Sequence, residues 1–317
     1  MRVIDRDEVA ARLTYDVAIP IVRRAMIAFS RGETRQLLRS IIPLAEGRMF
    51  GIMPGSLGGG ALGERAVFGA KLISVFPDNF QKGIQSHQGV VVLFDGESGA
   101  PVCVAHAGEI TAIRTAAASA VATDALANPA ASRLAVLGYG EQAATHIRAI
   151  AQVRRLSRVV VWGRDSGRAE AFAQRMGAET GVAAQAAKDV EAAVAEADIV
   201  CTVTNAAEPI LLGRWLRPGT HLNLVGSSRA GPVEVDHDVV VASRFIADSR
   251  EGVLAQGAEF LRAREAGLVT DAHVVGEIGQ VLAGDLPGRQ SPDQITAYKS
   301  LGHIVQDLAA AQALYAA

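Results

Sequence analysis

The stretch Arg133-Leu134-Ala135-Val136-Leu137-Gly138-Tyr139-Gly140-Glu141-Gln142-Ala143-Ala144 decides how this chain is read. Leu134 to Leu137 is an apolar run of strand character that enters a glycine turn. From Glu141 a helical pattern begins and continues through His146, Ile147 and Ile150. Strand, Gly-x-Gly-x-x-Ala and helix in immediate succession form the dinucleotide fingerprint in its required context. Gly138 permits the tight turn, Gly140 lets the backbone approach a pyrophosphate, and Ala143 lets the helix pack on the strand. The helix's free N–H groups and positive dipole end would face the phosphates.

Either side of this stretch, the 317 residues suggest two domains or one large α/β unit. Half of them are hydrophobic, enough for an ordinary core without disulfide or metal staples. A net charge of −2 gives no electrostatic reason to expect nucleic acid or an anionic membrane as partner. Cys103 and Cys201 match no metal or redox spacing and read as buried small hydrophobes in a reducing compartment. No metal site is expected. With no signal-peptide pattern at Met1-Arg2-Val3-Ile4-Asp5 and no long apolar run, the expectation is a soluble, cytoplasmic protein.

N-terminal to the fingerprint, Asp5 and Thr14 read as caps of helices over about 7–13 and 15–30, the second closing near Gly32. Short apolar runs then follow at 41–42, 49–53, 66–76, 90–94 and 102–105, separated by Gly, Pro, Asp and Asn. They read as strands of a separate sheet. Gly58-Gly59-Gly60 reads as a loop tip. Glu109 to Leu126 is an Ala-rich helix ended by Asn128-Pro129. C-terminal to the fingerprint, strands at 158–162, 198–203, 220–225 and 244–247 alternate with helices at 166–176 and 187–196. A last helix is expected over 292–315. This alternation is doubly wound α/β, with a mainly parallel sheet.

Which nucleotide it would hold turns on the end of the second strand, Arg158 to Trp162. There an NAD-type fold carries a carboxylate for the ribose hydroxyls. Here the position is Trp162 or Gly163, and neither is acidic. Arg164 follows, and a guanidinium pairs well with a 2′-phosphate. NADP(H) is favoured and NAD(H) remains possible, with Asp165 beside Arg164 weakening the attraction.

Several blocks together resemble the ornithine cyclodeaminase/μ-crystallin family. They are Arg39-Ser40-Ile41-Ile42-Pro43, Met53-Pro54, Lys71-Leu72, His87-Gln88 and Thr111-Ala112-Ile113-Arg114-Thr115-Ala116-Ala117. The glycine fingerprint, Thr202-Val203-Thr204, Val225-Gly226 and Lys299-Ser300-Leu301-Gly302 complete the set, in order over nearly the whole chain. The resemblance implies a Rossmann domain, 123–291, inserted into a smaller α+β substrate-binding and dimerisation domain, 1–122 plus 292–317, in a homodimer. It implies that Arg39, Lys71 and Arg114 hold the α-carboxylate of a small amino- or imino-acid substrate. Arg114 fits that role independently, as the only charge between Glu109 and Asp124. A charge on an otherwise apolar helix is buried and paired with something anionic. The resemblance places cofactor contacts at His87, Arg114, Gln142, Arg164, Thr204, Val225 and Ser300. Thr115, Gly138, Tyr139, Gly140, Glu141, Gly163, Asp165 and Asn205 join them as neighbours in the same motifs. Met53, Phe76, Val90 and His273 are the residues considered for the substrate side-chain pocket.

Two departures bear on the reaction. Cyclodeaminases carry an aspartate two residues after the Val-Gly pair, where this chain has Ser228, and a glutamate two residues before Met-Pro, where it has Gly51. Both changes remove acid/base groups and leave the carboxylate clamp intact. A serine hydroxyl is no base near neutral pH without its own activator. Ser228 instead resembles the ketimine reductases, which tend to use NADPH. The expected activity is reduction of C=N in a small imino acid, with the nitrogen's proton coming from Lys71, His87 or water. Ornithine cyclodeamination and non-catalytic binding of a small ligand, as in μ-crystallin, are the alternatives. Glu109 and Asp236 read as structural carboxylates.

Overall fold

A computed structural model describes residues 1–59 and 65–316, with the Phe80 side chain left aside; Gly60 of the glycine tip lies outside the described residues. The chain forms two compact units, Met1–Ala117 with His303–Ala317, and Ala118–Gly302.

In the first unit, β1 (Arg2–Ile4) leads into α1 (Arg6–Arg12) and α2 (Tyr15–Ser30). Asp5 caps α1 by accepting the Glu8 N–H, whereas Thr14 stands at the N-cap of α2 without a side-chain hydrogen bond. Strands β2 (Thr34–Gln36), β3 (Ser40–Pro43), β4 (Met49–Leu57), β5 (Val67–Val75), β6 (His87–Asp95) and β7 (Pro101–His106) follow, then α3 (Ala107–Leu126). The sheet order is β1-β7-β6-β5-β4-β2, with β3 also on β4; among the described residues only the β1–β7 pair is parallel. Strand alternation divides its side chains. On one face Met53, Lys71 and Val91 lie directly opposite one another across β4, β5 and β6, all buried. The other face carries Phe68, Leu72, Val90 and Phe94.

The second unit runs β8 (Arg133–Leu137), α4 (Glu141–Val153), β9 (Arg158–Trp162), α5 (Ser166–Thr180), β10 (Ala184–Ala186), α6 (Val190–Val194), β11 (Ile199–Thr202) and β12 (His221–Leu224). It continues with α7 (His237–Ala242), β13 (Ser243–Ala247), α8 (Arg250–Gln256), α9 (Ala258–Glu265), β14 (Val274–Glu277), α10 (Ile278–Ala283) and β15 (Ile295–Lys299). Its eight strands are all parallel, in the order β10-β9-β8-β11-β12-β15-β13-β14. The order reverses between β8 and β11, which is the switch point of a Rossmann-like sheet. Fully buried Leu134, Val136, Val159, Val161, Ile199 and Cys201 join Ile147 and Ile150 of α4 in one core. Each large apolar side chain there contributes roughly 1.5–3 kcal/mol. Both cysteines are buried and free. Among the described residues, no helix is long and apolar enough to cross a membrane.

The expected helix over 292–315 is corrected to a strand followed by a shorter helix. Ile295 to Lys299 form β15, hydrogen-bonded between β12 and β13, and Gly302 in the left-handed region (φ 82°) breaks the chain before α11 (Ile304–Ala316). Ile, Thr and Tyr in this segment favour the pleated surface, and a vacant place between two strands overrides an apparent helical spacing. Residues 292–302 accordingly belong with the parallel sheet. The helix α11 returns to the first unit, packing on α2 and on β4 to β7. It is buried nearly all round, including Gln306, Asp307 and Gln312.

Leu308 is fully buried on α11. Leu308→Ala should therefore cost ~2–5 kcal/mol in urea unfolding. A loss below about 1 kcal/mol would show that α11 is not central to this core.

Candidate active site

The face of the first sheet that carries Lys71 is the one covered by α11, so this lysine is only 2% exposed. A buried ammonium needs an anion, and Asp307 in the first turn of α11 supplies it. Lys71 Nζ donates to Asp307 Oδ1 at 3.0 Å and Oδ2 at 2.9 Å. Arg114, reaching in from α3, donates through Nε to the same Oδ1 at 3.0 Å and through Nη1 to Gln306 Oε1 at 2.8 Å. The Gln306 amide is held in turn by the Met26 sulfur. One carboxylate thus bridges two cations.

Arg39, half-buried in the loop before β3, adds its charge to the field at Lys71. Burial first, then the Arg114 and Arg39 charges, pull the Lys71 ammonium down to about 7 against the opposing pull of Asp307. Burial would raise the Asp307 carboxyl, but Arg114 and Lys71 outweigh it and hold the group below the ordinary range. His87 lies on the same sheet face, opposite Val75; burial, with the Lys71 and Arg114 charges, lowers it to about 4. His303, immediately before α11, is lowered to about 3, chiefly by burial. Both imidazoles are neutral at neutral pH, and Lys71 alone of this group is poised to exchange a proton there.

Met53 and Lys71 are register partners on that face. Val90 is not. It pairs with Leu72 on the opposite face, so its assignment to the substrate pocket is corrected: adjacent residues of a strand point to opposite sides. His273 lies in the second unit with Nε2 at 2.7 Å from the Val240 carbonyl, a structural contact. Phe76, just past β5, lies under the Arg48 guanidinium. Glu109 accepts from Arg6 and Gln85, and Asp236 caps α7. Thr115 is buried on α3 beside Arg114.

In the second unit, parallel strands bring the remaining candidates to one sheet edge. These are Gly138 to Gln142 after β8, Gly163 to Asp165 after β9, Thr204 and Asn205 after β11, Val225 to Ser228 after β12, and Ser300 after β15. This edge has the features a dinucleotide needs. A Cβ on Gly140 would meet nothing within 4 Å, so the space before α4 is open. The first turn of α4 has no side-chain cap. Gln142 Oε1 and Ser300 Oγ are buried with no hydrogen-bond partner among the described residues. Arg164 is exposed, and Asp165 caps α5 by accepting the Arg168 N–H at 2.9 Å. Asn205 is exposed, and Val225 and Ser300 are buried.

A group that no motif in the sequence signals holds this edge in place. Glu234, fully buried, accepts Thr204 N at 2.6 Å and Thr204 Oγ1 at 2.7 Å through Oε1, and Thr202 Oγ1 at 2.7 Å and Gly226 N at 2.8 Å through Oε2. A Cβ on Gly226 would lie 2.2 Å from the Thr204 carbonyl oxygen and 2.5 Å from Glu234 Oε1, which is why Val225 is followed by glycine. The buried Lys299 donates to the Ser227 carbonyl at 2.6 Å and pairs with Glu259 at 2.7 Å. Thr204 is therefore engaged by Glu234. Ser228 sits half-buried in the loop that this network anchors.

Comparison with known proteins agrees in sequence and in fold. The chain is 34% identical to ketimine reductase mu-crystallin of Rattus norvegicus, over 98% of this chain and 96% of that one. It is 33% identical to a Delta(1)-pyrroline-2-carboxylate reductase of Bacillus cereus, covering 99% and 96%. The solved structure of Thermococcus litoralis Delta(1)-pyrroline-2-carboxylate reductase, in complex with NADH and L-proline, superposes with a TM-score of 0.94 at 30% identity, covering 100% and 97%. Residues 2–317 match the profile of one family, and the chain belongs to it: the ornithine cyclodeaminase/mu-crystallin family.

Proposed function

We propose that this protein is an NAD(P)H-dependent reductase of small imino acids, with Delta(1)-pyrroline-2-carboxylate and related ketimines as its substrate class and NADP(H) as its preferred cofactor. The observation that carries this reading is the buried Lys71–Asp307–Arg114 bridge. Lys71 and Arg114 carry two positive charges against the one carboxylate they share, so a substrate carboxylate completes the charge balance. Arg114 offers a fork for it and Arg39 a second guanidinium. Met53, beside Lys71, lines the same face.

The Gly138–Gln142 turn, Arg164 and Ser300 would hold the dinucleotide, whose reduced ring, when bound, supplies the hydride for the C=N carbon. Lys71 hands its ammonium proton to the imine nitrogen. His87, neutral at this pH, orients and does not protonate. Asp307 keeps Lys71 charged and aimed, and its removal leaves two buried cations without a counter-ion. The carboxylates that could replace the two missing from the cyclodeaminase pattern are already engaged, Asp307 by two cations and Glu234 by four donors. This disfavours ornithine cyclodeamination. The apolar sheet face that carries Leu72 and the stacked Phe68 and Phe94 rings, 5.1 Å apart, supports self-association of the first unit as a homodimer.

Loss of reduced-nicotinamide absorbance with cyclic imino acids should be catalytic, whereas ornithine with NAD should yield no proline; the opposite pair of results defeats the reading. The sign of the pH dependence follows from Lys71 at about 7. Imine reduction needs the ammonium and should fall as pH rises through about 7, and amine oxidation needs the free amine and should rise through the same window. Lys71→Met should slow reduction by ~10²–10⁴-fold while dinucleotide fluorescence titrations stay unchanged; an unaffected kcat would exclude Lys71 as donor. Leu72→Asp should convert dimer to monomer in sedimentation, and an unchanged mass would move the interface elsewhere.

A further inference from the structure

We infer that Tyr139 and Gly163 act as one steric unit that bars a ribose-binding carboxylate and so sets the dinucleotide preference. The inference rests on the NADP(H) reading above. Gly163 stands directly after β9, where an acidic side chain in this fold would reach the ribose hydroxyls. A Cβ built on Gly163 would lie 2.0 Å from Tyr139 Cδ1 and 2.1 Å from Cε1, well inside van der Waals contact. Gly163 is not among the glycines in the left-handed region, so backbone conformation does not require glycine here. The space taken by the Tyr139 ring does.

The turn that carries the ring is tied in place, and the ring has a packing partner. Its backbone lies between Gly138 and Gly140, and Gly138 N donates to the Trp162 carbonyl at 2.8 Å, tying the turn to the end of β9. Gly138 itself, at φ 130°, has the Val203 carbonyl oxygen 2.9 Å from where its Cβ would be, so only glycine fits at that point of the turn. The ring packs against the apolar core shared by β8, β9, α4 and α5. An aromatic side chain therefore occupies the place that a carboxylate would need.

The charges around it follow the same pattern. Arg164 is exposed and has no hydrogen bond or ion pair among the described residues. Asp165 is turned to the N-terminus of α5, where it accepts the Arg168 N–H at 2.9 Å. The ribose end thus presents a guanidinium and no competing carboxylate from position 163. A 2′-phosphate dianion suits that arrangement, and a bare 2′-hydroxyl finds no carboxylate at position 163.

The test is a double-mutant cycle read in two ways, melting temperature and dissociation constants for NADPH and NADH from protein-fluorescence quenching. Gly163→Ala should lower Tm by about 4 °C with Tyr139 present and by much less in the Tyr139→Ala background. Gly163→Asp alone should weaken both dinucleotides without favouring NADH. Tyr139→Ala with Gly163→Asp should bind NADH about tenfold more tightly than Gly163→Asp alone and prefer it over NADPH. Equal Tm losses in both backgrounds, or a Gly163→Asp single variant that already prefers NADH, overturns the steric unit. A wild-type protein that prefers NADH overturns the cofactor reading and its selectivity consequence, and the Tm cycle still judges the Tyr139–Gly163 contact separately.

Discussion

A single carboxylate, Asp307, lies where two long cationic side chains from distant parts of the chain end on a buried face of the first sheet. Lys71 and Arg114 could not be buried there without it, and Asp307 could not sit on an otherwise apolar helix without them. Breaking one partner of such a set typically costs about 3–5 kcal/mol. The return of the C-terminal helix α11 to the sheet begun by the N-terminal residues is therefore electrostatic as well as hydrophobic. The same arrangement sets the proton affinity of Lys71. Burial and neighbouring cations bring Lys71 down to about 7, and the anion beside it keeps the group from losing its proton altogether.

The second unit uses buried charge differently, to hold backbone. Its parallel strands end in loops whose backbone is held by buried charged groups beneath them. Glu234 does this from one side with four accepted hydrogen bonds, and Lys299 from the other through the Ser227 carbonyl. Burial raises the Glu234 carboxyl, and the hydrogen bonds from Thr202 and Thr204 oppose it. The polar interior of this unit is a scaffold for its loops, and the uncapped first turn of α4 and the unpartnered Gln142 and Ser300 atoms mark what the scaffold presents.

Much of this is legible in the linear sequence because it depends on local pattern. The glycine turn, the β8–α4 transition, the strand runs of the first sheet and the cap at Asp5 follow from neighbours a few residues apart. Arg114 announces its own burial, since a lone charge on an apolar helix is accommodated only where an anion meets it. Its counter-ion is not legible. Asp307 lies 193 residues away within a helix whose other residues are almost all apolar, and only packing joins them. An amide and an acid at 306 and 307 stand out in an apolar run, but nothing near them in the chain says what they pair with. Glu234 gives no signal of that kind, because a carboxylate eight residues past a glycine matches no spacing rule. Val90 and the segment 292–302 depart from expectation for one reason: periodicity does not say which face of a strand is covered, nor that a gap between two strands awaits a third.

The sequence by itself determined the fold class, the place of the nucleotide turn and the burial of Arg114. Each of these depends on steric and hydrogen-bonding preferences that act over one turn or one strand. The tertiary structure alone decided which charges neutralise which, where Lys71 titrates, and that the space beside Gly163 is filled by an aromatic ring. Those properties depend on burial and on contacts between residues far apart in the chain, and a buried charge takes its character from its surroundings.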